Sequence, residues 1–584
     1  MNDEVFSDAQ KIYLEGLASG LNLAKGRAGG GADGAAPAGP DRLMFEGQAN
    51  NEAAGRKLVP EEKMKRERHP FDRWHELTAR AEAGEFPKGT DILATKFFGM
   101  FYVAPAQDSY MCRLRLPNGI LKAHQLAGVT DLARRYAGPY AHITTRANLQ
   151  IREIGAEDPI HVLTGLYALG IINKGAGADN VRNITGSPLA GIDPDELVDT
   201  RPLAEAVHYH ILNSRELYGL PRKFNISIDG GGRPAVLENT NDIGLSAVEV
   251  RDGRDDVPPG VYFRLGLGGI TGHHDFTRGT GRLLPASAVV AVCDTILKIF
   301  IEHGNRSDRK KARLKYLLDD WGMDRFVSEI ERRLPETLID EAGLDIAPRR
   351  EVDRYAHIGV HRQRQAGLSY VGVTAPVGRL TLEQMDAVAA IAARFGSGDV
   401  RLTVWQNLIV SDIRDEDIPE VVDQLESVGL STQPNAVRSN LVACTGNTGC
   451  KFSASNTKRH ALEIADYLDE RLALDRPVNI HLTGCHHSCA QHFIGDIGLI
   501  ACNVEVGDED VEGYDVLVGG GYASEPRLAE VFQKGVPADD VPALLESILS
   551  VYLDRRADTE EDFTAFIARG GIDILRETVR ERAA

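Results

Sequence analysis

The spacing of apolar residues indicates that one helical pattern occurs twice in this chain. Segment 116–154 aligns with segment 375–413 residue by residue without a gap, and identical residues include Gly119 with Gly378. Each copy has apolar side chains at the intervals that place them on one face of a helix. These are Leu126, Val129, Leu132, Ala133 and Tyr136 in the first copy, and Met385, Val388, Ile391, Ala392 and Phe395 in the second. Two related halves are therefore predicted.

Each copy continues beyond its helix into residues that alternate between apolar and polar, which predicts a strand. In the second copy Trp405 replaces Arg146 and Ile409 replaces Gln150. We therefore predict that only the first copy presents a cationic, hydrogen-bonding face to an anionic ligand, with a solvent-exposed strand face as the alternative. The polar face of the first copy comprises Thr144, Arg146, Asn148, Gln150 and Arg152.

Length, composition and charge narrow the class of protein. The 584 residues are 43% hydrophobic, which suits several globular domains. No apolar run approaches the roughly 18 to 20 residues of a membrane-spanning helix, and the N-terminal segment is acidic where a secretion signal is basic. The formal net charge of -19 disfavours a nucleic acid as partner. We therefore predict a cytoplasmic protein that binds neither nucleic acid nor a membrane.

Four of the seven cysteines lie in two close pairs, Cys444 with Cys450 and Cys485 with Cys489. In a reducing compartment such a cluster indicates metal binding or redox chemistry. The spacings C-x5-C and C-x3-C differ from the C-x2-C spacing of most zinc sites, and small, turn-forming residues surround them. From spacing alone three interpretations stay open: an iron–sulfur cluster held by four thiolates, a zinc ion, or structural thiols.

The two cysteine motifs and the internal repeat resemble those of the ferredoxin-type nitrite and sulfite reductases, which couple sirohaem to a [4Fe–4S] cluster. The resemblance runs from about residue 96 to the C-terminus. It implies that Cys444, Cys450, Cys485 and Cys489 hold the cubane. It also implies that the thiolate of Cys489 is shared with the sirohaem iron as its axial ligand.

The resemblance implies a mixed α+β and α/β fold with a pseudo-two-fold repeat. Two ferredoxin-like α/β sandwich halves are expected, together with two larger α/β modules that bind the sirohaem and the cluster. The expected divisions are an N-terminal extension (1–95) with a flexible Gly/Ala-rich stretch (26–40), the first half-domain (96–172), the first sirohaem-binding module (173–345), the second half-domain (350–432) and the cluster module (433–584).

A small oxyanion is the substrate that the resemblance implies. The segments "MCRLRLPNG", "DNVRNITGSP" and "LPRKFNISI" match the family's anion-binding segments and map Arg113, Arg182, Lys223 and Asn225 onto the site. Cations there offset charge on the oxyanion and supply protons. The family's sulfite reductases typically carry a second Lys where this chain has Asn225, so the chain is expected to reduce nitrite.

Sirohaem carries many carboxylates, so its pocket is expected to be cationic. Two segments supply candidates, "ITTRANLQ" and "GNRSDRKKARLKY", together with the arginine of "LPRKF". An exposed basic helix is the alternative for the second segment. The expected contacts are Arg146, Gln150, Arg222, Arg306, Arg309, Arg313 and Cys489.

The source of electrons follows from a motif that the chain lacks. No G-x-G-x-x-G unit between a strand and a helix is present to bind FAD or NAD(P)H. Electrons are therefore expected from a separate carrier, most simply ferredoxin. Because ferredoxins are acidic, docking requires a local basic patch, which the sequence does not locate. A monomer is expected.

Three other functions compete with nitrite reduction. A sulfite reductase would use the same cofactors, and a corrin-pathway oxygenase of the same superfamily would not need the full oxyanion set. An electron carrier or sensor would need no oxyanion pocket at all. His486 and His487 lie between the second pair of cysteines, where many relatives carry Pro and Asn. Loop variation would explain them, and the alternative is that a histidine tunes the cluster potential or the proton supply.

Overall fold

The computed structural model describes residues 39–254 and 256–583. Most of the Gly/Ala-rich stretch predicted as a linker (26–40) lies outside the described residues. Twelve strands lie in the first half of the described residues. These are β1 (Met100–Tyr102), β2 (Tyr110–Arg113), β3 (Ile120–Lys122), β4 (Tyr140–Thr144), β5 (Asn148–Ile154), β6 (Thr185–Gly186), β7 (Ile226–Asp229), β8 (Ile243–Asp252), β9 (Gly260–Leu267), β10 (Arg278–Leu284), β11 (Ile339–Asp340) and β12 (Asp345–Ile346).

The second half contributes the remaining strands of the described residues. These are β13 (Gly359–Arg362), β14 (Leu368–Val373), β15 (Arg379–Thr381), β16 (Asp399–Leu402), β17 (Leu408–Arg414), β18 (Leu441–Ala443), β19 (Ile480–Thr483), β20 (Ile497–Val506), β21 (Glu509–Val518) and β22 (Glu530–Pro537). Together these strands form four sheets.

Helices cover the faces of these sheets. In the first half they are α1 (Arg42–Ala53), α2 (Pro60–Glu67), α3 (Trp74–Glu82), α4 (Asp91–Phe97), α5 (Ala123–Tyr136), α6 (Pro159–Ala168), α7 (Arg201–Asn213), α8 (Val289–His303), α9 (Leu314–Trp321) and α10 (Met323–Arg333). In the second half they are α11 (Leu382–Phe395), α12 (Ile418–Ser427), α13 (Thr457–Arg471), α14 (Val541–Arg555), α15 (Phe563–Phe566) and α16 (Ile572–Ala583). No helix in the described ranges is long and apolar enough to cross a membrane.

The two predicted helices of the repeat are α5 and α11, and their apolar faces are buried as expected. Eight of the ten predicted residues lie in one hydrophobic core, and Tyr136 and Phe395 pack against its edge, partly buried. This core includes residues of both halves, so the two copies share a single interior. Burial of one apolar stripe is what an amphipathic helix requires for its stability.

Each half-domain sheet is completed by a strand from the other half. The strand orders are β1-β2-β5-β4-β15 and β13-β14-β17-β16-β3. Leu380 of β15 pairs with Ala141 of β4, and Leu121 of β3 pairs with Val400 of β16. The two pairings are reciprocal because the repeat aligns Leu121 with Leu380 and Ala141 with Val400. The halves are therefore joined by a strand exchange related by a pseudo-two-fold axis.

The prediction of a single strand after each helix is wrong, because the structure has an antiparallel hairpin of two strands at each of these places. Strands β4 and β5 are joined by a turn in which Ala147 has a φ of 45°, and the equivalent Gln406 has a φ of 61°. Neither turn contains the Gly or Pro that marks most tight turns. The alternation of polar and apolar residues also continues through each turn, so the sequence pattern gave no sign that the chain reverses direction there. Arg146 and Trp405 consequently lie at hairpin tips rather than on strand faces.

The two larger modules repeat each other as well. In one sheet β6, β7 and β8 are parallel and β9 and β10 continue antiparallel; in the other β18, β19 and β20 are parallel and β21 and β22 continue antiparallel. Helices α7 and α13 follow the first strand of each sheet, and α8 and α14 follow the last of these strands. The architecture confirms the predicted mixed fold of two ferredoxin-like halves and two larger α/β modules.

The strand exchange predicts that damage in one half loosens the other. We expect Leu121→Ala, which truncates a fully buried side chain, to destabilise the protein by about 2–5 kcal/mol. Because Leu121 pairs with β16, amide hydrogen exchange should rise in β16 as well as in β3. Leu545→Ala, a similar truncation in α14, is the control and should leave β16 protected. Unchanged protection of β16 in Leu121→Ala would show that the halves open independently.

Candidate active site

A cavity of 1330 Å³ lies where the first half-domain meets both larger modules. Pockets for small ligands usually have volumes of about 300–1,000 Å³, so this one has room for a macrocycle and a small substrate together. Its walls contain thirteen Lys and Arg residues and no Asp or Glu. In a chain with a net charge of -19, that distribution concentrates positive charge at one place.

All four cysteines of the two motifs line this cavity. Cys444 directly follows β18 and Cys485 closely follows β19; these strands are parallel neighbours, so their carboxyl ends open at the same edge of the sheet. The Gly484 N–H donates to the Sγ of Cys444 at 3.2 Å, and the Thr145 hydroxyl donates to the backbone carbonyl of Cys489 at 3.0 Å. The motif loops are thereby tied to each other and to the tip of the first hairpin.

The thiols of the four cysteines share one cavity. A single zinc ion needs all its ligand atoms within about 2.3 Å of one position, and no group of three or more His, Cys, Asp or Glu in the described part of the chain is so placed. A four-iron cluster takes one thiolate on each iron and therefore needs more widely separated sulfurs. A cubane requires four thiolates that reach one space, and all four cysteines line the same cavity.

Some of the cationic side chains that line the cavity form ion pairs with buried carboxylates that do not line it. Asp179 accepts two hydrogen bonds from Arg309, at 2.9 and 2.7 Å, and lies 3.8 Å from Arg222. Although burial opposes ionisation, Lys65 and Arg309 hold the pKa of Asp179 well below its usual range. Asp242 binds Arg313 in the same way, with 2.5 Å between Nη2 and Oδ2. These carboxylates fix the direction in which the guanidinium groups point.

Arg113, Arg182 and Lys223 have no such partner. Within the described residues no carboxylate oxygen lies within 4.0 Å of their charged nitrogens, although Arg182 donates to the carbonyl of Ala178 at 2.8 Å. Burial lowers the pKa of Arg113 to about 10, and burial together with Arg313 lowers the pKa of Lys223 to about 7. Buried positive charge without a counter-charge is unfavourable, so these three side chains are suited to an incoming anion.

The remaining predicted residues of this wall supply neutral polar groups and one further cation. The Oδ1 of Asn225 is buried without a partner, while its backbone N–H donates to Asp242 at 2.8 Å. Gln150 is buried beside Arg152. Arg146 donates to Asn241 at 2.6 Å and to the carbonyl of Asn183 at 2.8 Å, and burial lowers its pKa to about 9.

Arg306 differs from the prediction, because it does not line the cavity. Its guanidinium is buried at 2.6 Å from Glu62, and it donates to the carbonyls of Gly219 and Ile301, each at 2.7 Å. Its hydrogen bonds all go to protein groups of the N-terminal helices and the first module. Arg306 therefore anchors the segment that carries Arg309 and Arg313 instead of facing a ligand.

Several residues that line the cavity were not predicted as ligands. Lys96 lies in the last turn of α4, and burial, followed by repulsion from Lys451 and Arg182, lowers its pKa to about 8. Lys458 and His142 are buried in the wall beside the cysteine loops. Lys458 lies in a "TK" pair after the first cysteine motif, whereas Lys96 and His142 occupy unremarkable segments in which no spacing signal could have marked them.

The residues of the wall fit a large, carboxylate-rich group. Besides the surplus of cations, several buried polar atoms of residues that line the cavity have no protein partner: Nδ1 and Nε2 of His142, Nε of Arg146, Oδ1 of Asn225 and Oε1 of Gln491. Buried polar groups of folded proteins are normally hydrogen-bonded, and arginines match carboxylates well. Sirohaem and a [4Fe–4S] cluster, the groups implied by the sequence resemblance, would fit this set of residues.

Comparison with protein families now defines the class. The nitrite and sulphite reductase 4Fe-4S domain matches residues 177–338 and 435–584. The nitrite/sulfite reductase ferredoxin-like half domain matches residues 104–166 and 361–428. Each model matches twice, once in each half of the repeat. The chain belongs to the nitrite and sulphite reductase family.

Individual relatives agree with this assignment. The chain is 34% identical to a chloroplastic ferredoxin–nitrite reductase of Zea mays, over 84% of this chain and 89% of that protein. It is 36% identical to a ferredoxin–nitrite reductase of Synechococcus elongatus, over 78% of this chain and 88% of that protein. The solved structure of the Mycobacterium tuberculosis NirA protein superposes with a TM-score of 0.81 at 28% identity, covering 89% of this chain and 98% of that one. The chain is thus an oxidoreductase.

The two copies of the repeat differ at one equivalent position, Arg146 in the first and Trp405 in the second, so substitutions at these two residues form a matched pair. We expect Arg146→Leu to lower the amount of bound sirohaem, because it removes a cation from the cavity wall. Trp405→Leu changes the equivalent residue, which is buried and donates to the carbonyl of Ala235 at 3.2 Å; it should lower stability only. Sirohaem content per chain, from the optical spectrum, is the measurement. Equal losses in both variants would show that the asymmetry has no functional content.

The lowered pKa of Lys96 predicts that the affinity for anions changes with pH near that pKa. The ammonium is charged below its pKa of about 8 and neutral above it, so nitrite should bind more weakly as the pH rises through this value. We expect about a fivefold change in Kd, equal to about 1 kcal/mol for one charge at close range in water.

Spectral titration with nitrite at several pH values measures this step. In Lys96→Met the step near pH 8 should vanish, whereas Lys63→Met, which changes an exposed lysine of α2, should retain it. A step that persists in Lys96→Met would assign the titration to another group.

Proposed function

We propose that this protein is an assimilatory nitrite reductase, which takes nitrite to ammonia with six electrons supplied by ferredoxin. The observation that carries the proposal is the placement of Arg113, Arg182 and Lys223, without carboxylate partners, in the same cavity as four converging thiols. An anion site that faces an electron-storing centre is the requirement of an anion reductase. The relatives in Zea mays and Synechococcus elongatus are ferredoxin–nitrite reductases, which supports nitrite and ferredoxin as substrate and donor.

Within the proposal the cofactors are held by residues that the geometry groups together. Cys444, Cys450, Cys485 and Cys489 would hold a [4Fe–4S] cluster, with Cys489 shared with the sirohaem iron. Arg146, Gln150, Arg222, Arg309 and Arg313 would bind the carboxylates of sirohaem. When bound, the sirohaem and the cluster together supply the iron at which nitrite is reduced and the store of electrons for it.

The side chains of the anion site have two tasks in this reaction. Arg113 and Arg182 would orient the anion by electrostatic attraction. Lys223, with a pKa of about 7, is able to hold a proton and release it near neutrality. Conversion of nitrite to ammonium consumes eight protons with six electrons and releases two waters, so a proton donor beside the anion is needed as well as an electron source.

Asn225 favours nitrite over sulfite. A fourth cation at this position would suit a dianion, whereas a neutral amide beside three cations is sufficient for a monoanion. Asn225 lines the cavity together with Lys223, and its Oδ1 is buried without a partner. An electron carrier or sensor would have no use for this set of side chains. Sulfite reduction is the competing function, and the experiment below separates the two.

The test compares kcat/KM for nitrite and sulfite with one reduced donor, in the wild type and in Asn225→Lys. We expect the wild type to prefer nitrite and the variant to shift toward sulfite, because a second ammonium beside Lys223 attracts a dianion more strongly by about 1–4 kcal/mol. Some loss of absolute rate is expected from the larger side chain. The optical spectrum of each protein reports whether sirohaem is bound.

Two results would contradict the proposal. A wild type that prefers sulfite would make the protein a sulfite reductase, and a preparation without sirohaem absorption after expression with the cofactor's precursors would exclude both reductases. A ratio that does not move in Asn225→Lys would show that this residue does not face the substrate.

A further inference from the structure

A buried lysine, Lys458, lies beside the first cysteine motif. It is the second residue of α13, and it lines the cavity. Its ammonium donates to the carbonyl of Val377 and, at 3.4 Å, to the carbonyl of Ala443, the residue that directly precedes Cys444. Within the described residues no carboxylate oxygen lies within 4.0 Å of this nitrogen. The positive charge of Lys458 is therefore held by neutral groups.

The first residue of α13 contacts Cys444 directly. The Thr457 hydroxyl donates to the carbonyl of Cys444 at 2.9 Å and lies 3.5 Å from its Sγ. Gly446 approaches the helix so closely that a Cβ there would lie 2.9 Å from the backbone nitrogen of Thr457. Because the N-terminus of a helix carries a partial positive charge, α13 and Lys458 bring positive charge to the same cysteine.

The charges around Lys458 indicate which group its ammonium attracts. Burial lowers the pKa of Lys458 to about 7, attraction to Cys444 opposes that shift, and repulsion from Arg152 and Arg379 adds to it. Cys444 is thus the negative group that favours the charged lysine. A [4Fe–4S] core with four thiolates is an anion, and one further electron makes it more negative.

A lysine is an unfavourable choice if its task is only to satisfy two carbonyls. A neutral amide would donate to the same oxygens without the cost of burying an unpaired charge. The structural alternative is support of the turn at Val377, whose φ of 46° is rare for a β-branched residue. The two roles are separable, because support of the turn needs a hydrogen-bond donor but not a positive charge.

We propose that Lys458 is the buried counter-charge of the iron–sulfur cluster and raises its reduction potential. The potential of such a cluster depends on net charge, hydrogen bonds and exposure to solvent. When the cluster takes up one electron from its donor, the ammonium attracts the added negative charge, and this attraction is strong where water is excluded. The inference rests on the cluster of the proposed function, but it does not depend on which anion is reduced.

The experiment is a redox titration of the loaded protein with dithionite and mediators, in which EPR measures the reduced cluster. We expect Lys458→Met and Lys458→Gln to lower the equilibrium constant for one-electron reduction about tenfold, which is a fall of about 59 mV in midpoint potential. Lys458→Arg keeps the charge and should stay near the wild-type potential.

The glutamine variant separates the two roles, since its amide still donates to carbonyls but carries no charge. A wild-type potential in Lys458→Gln would assign Lys458 to support of the turn and overturn the proposal. A fall in Lys458→Arg as large as that in Lys458→Met would show that loss of charge is not the cause, and would overturn it as well.

Lys451→Met is the matched control. Lys451 also lines the cavity and directly follows Cys450, but it is exposed, so solvent screens its charge. This variant should leave the midpoint potential unchanged. A shift equal to that of Lys458→Met would show that the potential responds to any cation lost near the cysteines, and the buried lysine would have no special role.

The iron and sulfide content of each protein separates this inference from the proposed function. A wild type without the cluster would contradict the proposed function itself, whereas a loaded protein whose potential is the same in Lys458→Met overturns the counter-charge alone. Loss of the cluster from all three Lys458 variants would assign the residue to the folding of the cysteine loops and overturn the inference. Loss from Lys458→Met and Lys458→Gln, with Lys458→Arg loaded, supports it, because charge distinguishes these variants.

Discussion

The burial of positive charge around one cavity is the constraint on which the rest of the structure depends. Thirteen cationic side chains line that space without a carboxylate among them; most are buried or half-buried, and unpaired buried charge opposes folding. Asp179 and Asp242 reduce this cost by pairing with Arg309 and Arg313 on the side away from the cavity. The carboxylates thus keep the guanidinium groups charged and oriented, while Arg113, Arg182 and Lys223 are left for an anion.

The N-terminal helices take part in this balance, although the family models begin at residue 104. Glu62 and Lys65 of α2 form a fully buried ion pair, and Glu62 also binds Arg306 at 2.6 Å. Lys65 lies 3.4 Å from Asp179, the carboxylate that holds Arg309. The N-terminal segment is therefore connected to the cavity wall through two buried carboxylates, which gives residues 60–67 a structural reason to pack against the first module.

The repeat of the fold gives two equivalent hairpin tips, one in each half-domain, and these tips differ in their side chains. At the first hairpin tip Arg146 contributes charge to the cavity; at the second, Trp405 packs against Tyr522 with 4.9 Å between ring centroids. His142 of the first copy has two unpartnered nitrogens, whereas the equivalent Arg401 donates to the carbonyls of Pro188 and Ala190. One copy is thus left open for ligands, and the other is filled by its own protein groups.

The sequence by itself determined the repeat, the buried faces of α5 and α11, and the four cysteines, because helical periodicity and motif spacing are local properties of the chain. Only the tertiary structure decided that the predicted strands are hairpins, that β3 and β15 are exchanged, and that Lys96 and His142 join the cavity wall. It also separated Arg306 from Arg309, which lie three residues apart in one basic segment. The physical reason is that the role of a buried charge depends on its partner, and the partners, Glu62 and Asp179, are distant in sequence from the arginines they bind.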